Sequence, residues 1–356
     1  MKYKRILFLI LIPISLLLTQ IAKYNQMFAE YYATKVYSIF SKVIGYTSSL
    51  VSISLTEIII VILVISMISY LIITIIKTII DKSAKYFKMF FLNIIVLTAC
   101  IYFLFVLFCG INYYRYEFTA YSGLEIKPST REELIDLCEV LKNQANDLRT
   151  MLETNEFDVA DVFDNTYYET SIRAQSSFSN ISNTYEILKG NYPAPKPVML
   201  SRAMSYINIT GMFFPFTFES NINVDIPPYQ IPSTMCHELV HLRGFMREDE
   251  ANFISYLACI NSGYEDFAYS GTMLALNHSM NVLYEEDYNA YIKIYSSLSD
   301  DVKKDLSYSN LYWKQFDTKV AEISNKVNDS YLKANNQQDG VKSYGRMVDL
   351  LLAYYK

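Results

Sequence analysis

Three long apolar runs constrain this chain more than any other feature. Residues 6–22, 58–80 and 89–112 consist mainly of Leu, Ile, Val, Phe and Met. A helix needs about 20 apolar residues to cross the hydrocarbon core of a bilayer. Lipid offers no partner for peptide N–H and C=O groups, so segments of this kind cross as helices. The second and third runs have the required length and the first comes close to it. Residues 1–112 are therefore expected to form a membrane domain of three spans, with the lipid bilayer as a partner. The first run also has the basic start of a signal peptide. Gln20-Ile21-Ala22-Lys23 is a poor cleavage site, however, so a retained span is expected. Glu57 and Lys77, the ionisable groups nearest the spans, lie close to span ends, where snorkelling would accommodate them.

Charge divides the chain at the same place. Ten basic side chains against three acidic ones give residues 1–112 a net charge of +7, so residues 113–356 carry −12 of the overall −5. An acidic C-terminal part argues against nucleic acid as a partner. Lys2, Lys4 and Arg5 precede the first run, and Lys82, Lys85 and Lys88 crowd the short loop between the second and third. The positive-inside rule then puts the N-terminus in the cytoplasm and the C-terminal region outside it. The Gly-poor, Lys/Asn/Ile/Tyr-rich composition is compatible with an AT-rich bacterial genome, so the expected location is a bacterial cell membrane.

Beyond the spans, residues 113–195 are expected to be mainly helical. Thr130-Arg131-Glu132-Glu133 has the form of a capping box, and Leu134, Leu137, Leu141 and Leu148 follow at helical spacing. A second helix is expected over 166–188. Residues 196–356 form the third region, in which 198–228 are expected to be strands. Asn221–Ile226 alternates at period two, and Pro215 suits an edge or a bulge. An edge strand there can bind an extended peptide by adding a strand to the sheet.

The five cysteines include no CxxC pair. Cys100 and Cys109 fall in the third apolar run. Cys236 is expected to be a buried packing residue, because neighbouring helix positions point about 100° apart.

The chemistry concentrates in His237-Glu238-Leu239-Val240-His241, which holds two of only three histidines in the chain. Residues four apart share a helix face, so both imidazoles can bind one Zn²⁺ while Glu238 handles protons. Ser233 or Thr234 is expected to cap this helix and Gly244 to end it. A second helix is expected from about Arg247.

These residues resemble the HExxH zinc peptidases, and within them the gluzincin group, which includes the thermolysin-like enzymes. The resemblance covers residues 198–260. It implies an α+β fold, with the three spans followed by a zincin-like metallopeptidase domain. It further implies Zn²⁺ as cofactor and a peptide or protein substrate outside the cytoplasm. In that group the third ligand is a Glu on a following helix, often in Glu-x-x-Ala-Asp. The matching stretch is Glu248-Asp249-Glu250-Ala251-Asn252. The resemblance makes Glu248 the third ligand, with Asn252 in the place of the Asp that orients a ligating His. Glu250 is the rival ligand. Only six residues separate His241 from Glu248, which is short for the group. The Gly244 position also matches the turn of the metzincins, but their third His would fall at Arg247. The stretches 211–216 and 247–253 further resemble an uncharacterised family of bacterial membrane proteins.

Zinc-bound water would attack the scissile carbonyl, with Glu238 as general base. The oxyanion needs one more donor, for which His278 and Tyr344 are candidates, with Tyr264 and Tyr269 competing. With His237 125 residues beyond the third run, cleavage within the bilayer is not expected. The alternative from another class is a zinc-binding membrane sensor or scaffold without catalysis.

Overall fold

The computed structural model describes residues 5–162, 166–337 and 346–356. Three of its helices are long and apolar enough to cross a membrane: Leu7–Tyr24, Leu55–Ile80 and Lys85–Phe108. The first comprises a 3₁₀ turn, Leu7–Ile10, followed by α1 (Leu11–Tyr24). The third run ends at Phe108 rather than at residue 112, because the chain turns at Cys109 into a short 3₁₀ segment, Gly110–Tyr114. Asn93, a polar residue within the third of these helices, is hydrogen-bonded to its neighbours. It donates to Tyr70 Oη at 2.6 Å and accepts from Arg5 Nη1 at 2.8 Å.

Between the first and second spans the chain is helical: α2 (Gln26–Tyr31), a π-helical turn (Tyr32–Tyr37) and α3 (Ser38–Ser49). The two long spans are α4 (Leu55–Ile80) and α5 (Lys85–Phe108). Residues 25–54 pack against the chain that follows α5: Ser48 Oγ donates to Thr217 O at 2.6 Å and Ser54 Oγ to Asn221 Oδ1 at 2.6 Å. Lys196 and Glu219 form a buried ion pair. Glu219 Oε2 also accepts from Thr56 N at 2.8 Å and from Thr56 Oγ1 at 2.7 Å. Glu57 is not a snorkelling residue. Its carboxylate accepts the backbone N–H groups of Met199 and Leu200, at 2.9 and 2.8 Å.

After the spans come α6 (Thr119–Ser122), α7 (Arg131–Arg149) and α8 (Tyr167–Thr184). The capping box at Thr130 and Glu133 is present. The helix expected over 166–188 ends at Thr184, with a 3₁₀ turn over Glu186–Leu188. Residues 113–195 are not a separate layer. Leu137 and Leu141 of α7 and Phe178 of α8 belong to the same buried cluster as the motif helix.

Strands are fewer than the alternation of 198–228 suggests. β1 (Lys196–Pro197), β2 (Gly211–Phe214) and β3 (Glu219–Ile222) form one sheet in the order β1-β3-β2. β3 pairs parallel with β1 and antiparallel with β2. Residues 201–205 form a short helix, α9 (Ser201–Ser205), and Asn208 turns the chain at φ 55°. Pro215 sits in the hairpin turn just after the edge strand β2, where it breaks no ladder bond. All four β3 residues are buried, so its alternating pattern marks no exposed face.

The motif lies on α10 (Ile231–Leu242), followed by α11 (Glu248–Ile260) and α12 (Glu265–Glu286). Apart from His237, every residue of α10 is buried, and α11 is buried from Asp249 to Cys259. Helices covered on all sides are the centre of a fold. The chain closes with α13 (Tyr288–Ser296), α14 (Asp300–Lys314), α15 (Lys319–Ala334) and α16 (Arg346–Tyr355). The result is an α+β protein, mostly helical, with one small sheet among the described residues.

Candidate metal centre

α10 begins earlier than its sequence suggests. Proline is tolerated in a first helical turn, so Pro232 lies inside α10 rather than before it. Ser233 and Thr234 are therefore not caps. Their hydroxyls donate to Gln230 O at 3.1 and 2.8 Å. At the other end Gly244 takes φ +87°, a conformation that favours glycine, and its N–H bonds to His241 O at 2.9 Å. This tight turn lets six residues suffice between His241 and Glu248. It also brings Phe245 O to within 2.8 Å of His241 Nδ1.

Side chains also cap the carbonyls at the end of α10, two of them from far along the chain. Tyr37 Oη donates to His241 O at 2.9 Å and Ser41 Oγ to Leu242 O at 2.8 Å. Arg243 Nη1 reaches Leu239 O at 2.9 Å. Orphan C-terminal carbonyls need such partners, and a cation there complements the helix dipole.

The three expected ligands converge. One donor atom each from His237, His241 and Glu248 lies within 4.8 Å of the others. His237 Nε2 is 3.1 Å from Glu248 Oε2, and His241 Nε2 is 3.6 Å from Glu248 Oε1. Tetrahedral zinc with ligand bonds of about 2.0–2.1 Å would space its donors about 3.3 Å apart. The observed separations bracket that value. Both rings are held from behind, His237 Nδ1 by Asn252 Oδ1 at 2.8 Å and His241 Nδ1 by Phe245 O. Such partners fix which nitrogen faces a metal. Asn252 thus stands where the resemblance puts an orienting Asp.

Glu250 points elsewhere. Its Oε1 accepts from Phe118 N at 2.6 Å and from Arg247 Nη1 at 3.1 Å, away from both imidazoles. Glu238 lies beside the cluster with Oε2 buried and without a hydrogen-bond partner. Gly211 makes room for it, since a Cβ there would come within 2.6 Å of Glu238 Oε1.

The electrostatics follow from burial and proximity. Burial pushes the Glu238 carboxyl up to about 7, with the Glu248 charge adding to the effect. Burial opposes charge on His237, but the Glu248 carboxylate outweighs it and raises that imidazole to about 9. His241 is lowered to about 4, chiefly by burial. Glu248 is held below the usual range despite burial, because His237 hydrogen-bonds it.

The cluster opens into a cavity of about 820 Å³. His278, on α12, lines it, and burial lowers its imidazole to about 4. Tyr264 and Tyr269 do not line it. The Arg173 guanidinium packs 5.2 Å over the Tyr264 ring, and Tyr269 Oη donates to the buried Asp305 at 2.5 Å. Tyr344 lies outside the described residues. Tyr113 and Tyr331, which the motif gives no reason to suspect, do line the cavity, with their hydroxyls 3.0 Å apart. In a chain with 32 tyrosines no local pattern singles them out. Cys236 is fully buried, as expected, whereas Cys109 faces the cavity.

Fold and site together define a class: an α+β protein with three membrane-length helices and a partly buried His-His-Glu cluster able to hold a metal ion. Within that class, the chain belongs to a family of proteins of unknown function (DUF3810), whose model matches residues 32–352. No curated protein and no solved structure matches it.

Proposed function

We propose that this protein is a membrane-anchored zinc peptidase, with a compact gluzincin-like domain on the extracytoplasmic face of a bacterial cell membrane. The observation that carries the reading is the convergence of His237, His241 and Glu248, with each imidazole held from behind. Two nitrogens and one carboxylate oxygen are the donor set of a catalytic zinc site that keeps a position open for water. Bound there, the ion would lower the pKa of its water to about 7 and polarise the scissile carbonyl.

The chain's own residues supply the rest. Glu238, beside the ligands and with its Oε2 unpartnered, takes the proton of the attacking water and passes it to the leaving amine. The bond that breaks is the peptide C–N, giving a carboxylate and an amine. β2 is an edge strand of the sheet and lines the cavity throughout its length, with its Phe213 N–H bonded to Glu238, so an extended peptide pairing with this edge would lie beside that carboxylate. His278 and Tyr331 both line the cavity and would serve as donors to the developing oxyanion.

The test compares the wild-type full-length protein with Glu238→Gln on a peptide library. The reading expects one zinc in both proteins and hydrolysis only by the wild type, with Glu238→Gln at least 10²-fold slower. Zinc in the wild type without hydrolysis of any peptide would instead favour a non-catalytic sensor.

A further inference from the structure

The cavity does not face open solvent on all sides. One wall is Phe105 and Cys109, at the end of the third membrane-length helix. Cys109 Sγ lies 3.7 Å from Met246 Sδ, two residues before Glu248. The 128 residues of chain between Phe108 and His237 therefore fold back, and the His-His-Glu cluster opens into a cavity walled by the span's end.

A continuous rim links the ends of two spans around this cavity. It starts at Glu57, in the first turn of α4, which holds Met199 and Leu200. It continues through α9 to Ile207, whose carbonyl accepts from Ser324 Oγ on α15 at 2.8 Å. It ends where the Tyr331 ring of α15 packs on Phe105 of α5, centroids 6.1 Å apart. An element tied at both ends to the same ends of two spans lies at the bilayer surface. Its exposed residues include large apolar ones: Met199 is 81% exposed, and Val320, Ile323 and Val327 of α15 are 53, 61 and 63% exposed, while the charged pair Glu322 and Lys326 is exposed on another side of the same helix. Spacings of three and four put those α15 residues on one helix face. An apolar helix face at that level is the form in which a helix lies in a membrane interface. Ile207, Ser324 and Val327 belong both to this rim and to the cavity lining.

We propose that the cavity takes its substrate from the membrane: a polypeptide anchored in the same bilayer, cut in the segment that leaves the bilayer surface. The inference rests on the peptidase reading and adds the substrate class. The rim seats in the interface, and the extended segment of the anchored chain enters between α15 and β2.

The experiment uses the full-length protein in vesicles of phosphatidylethanolamine and phosphatidylglycerol. The probe is a library of 30-residue segments of random sequence, each following a single membrane helix, against the same segments free in solution. The expected result is cleavage of the anchored segments within about ten residues, or about 30 Å of extended chain, of the bilayer. Simple concentration in the membrane plane would raise the rate without fixing that position. Val320→Glu with Ile323→Glu changes two exposed side chains outside the cavity. It should slow anchored cleavage at least about tenfold by removing apolar transfer into the interface, and leave cleavage of free segments within about twofold. Free and anchored segments cut alike, at scattered positions, would overturn the inference and leave the peptidase reading standing. Neither form cut by a zinc-loaded protein would overturn both.

Discussion

Asn252 Oδ1 lies 2.8 Å from His237 Nδ1, one helix bracing the ring carried by another. The acceptor fixes the proton on Nδ1 and turns Nε2 toward Glu248. Removing such a partner typically costs 10–100-fold in metal affinity. Asn252→Ala should therefore weaken zinc binding by about that factor in a chelator competition, and Asn252→Asp should keep or tighten it. Equal affinity in all three proteins would mean that Asn252 does not orient the ligand.

Gly211 separates the edge strand from the candidate base. A methyl group there would meet Glu238 Oε1 at 2.6 Å, Glu238 Cγ at 2.8 Å and Thr234 Cγ2 at 2.8 Å. Gly211→Ala should displace the carboxylate while leaving both imidazoles in place. Zinc content should stay at the wild-type level as turnover falls by about 10² or more, within the range a general base contributes. Activity near wild type would remove Glu238 from the proton path.

Glu250 is a structural carboxylate in this arrangement. Glu250→Ala leaves the Phe118 N–H buried without its partner, and an orphaned buried group costs about 1–3 kcal/mol. Thermal unfolding should show the loss as a lower Tm. An unchanged Tm would contradict the assignment.

The ion pair of Lys196 and Glu219 ties the sheet to the loop between the first two spans. Breaking a buried pair by removing one partner costs about 3–5 kcal/mol. Lys196→Met should therefore destabilise the protein by about that amount. It should also speed amide exchange at Thr56, whose N–H bonds to Glu219. Protection at Thr56 unchanged from the wild type would show that the clamp is not needed.

The His-His-Glu cluster was legible because its parts are local. His237 and His241 share a turn spacing, Gly244 ends the helix, and Glu248 and Asn252 lie one turn apart on the next helix. What supports and surrounds the centre was not legible, because it comes from distant sequence. Nothing near Tyr37 or Ser41 announces that they cap a helix two hundred residues later. Phe105 and Cys109 read as ordinary span residues until the chain folds Tyr331 back onto the first and Met246 onto the second. Glu57 read as a snorkelling charge because its partners are backbone amides, which carry no sequence signal. The strands expected over 198–210 failed on local grounds: Ser201-Arg202-Ala203-Met204-Ser205 closes a helical turn and Asn208 reverses the chain. Ser233 and Thr234 look like caps only if Pro232 is assumed to stop a helix, whereas in the first turn it does not.

Metal content of the purified full-length protein, wild type beside Glu248→Ala and Glu250→Ala, tests the central claim most directly. The account predicts about one zinc per chain in the wild type. It also predicts loss in Glu248→Ala and retention in Glu250→Ala, because only Glu248 faces both Nε2 atoms. A wild-type protein without zinc, or zinc lost only in Glu250→Ala, would contradict it.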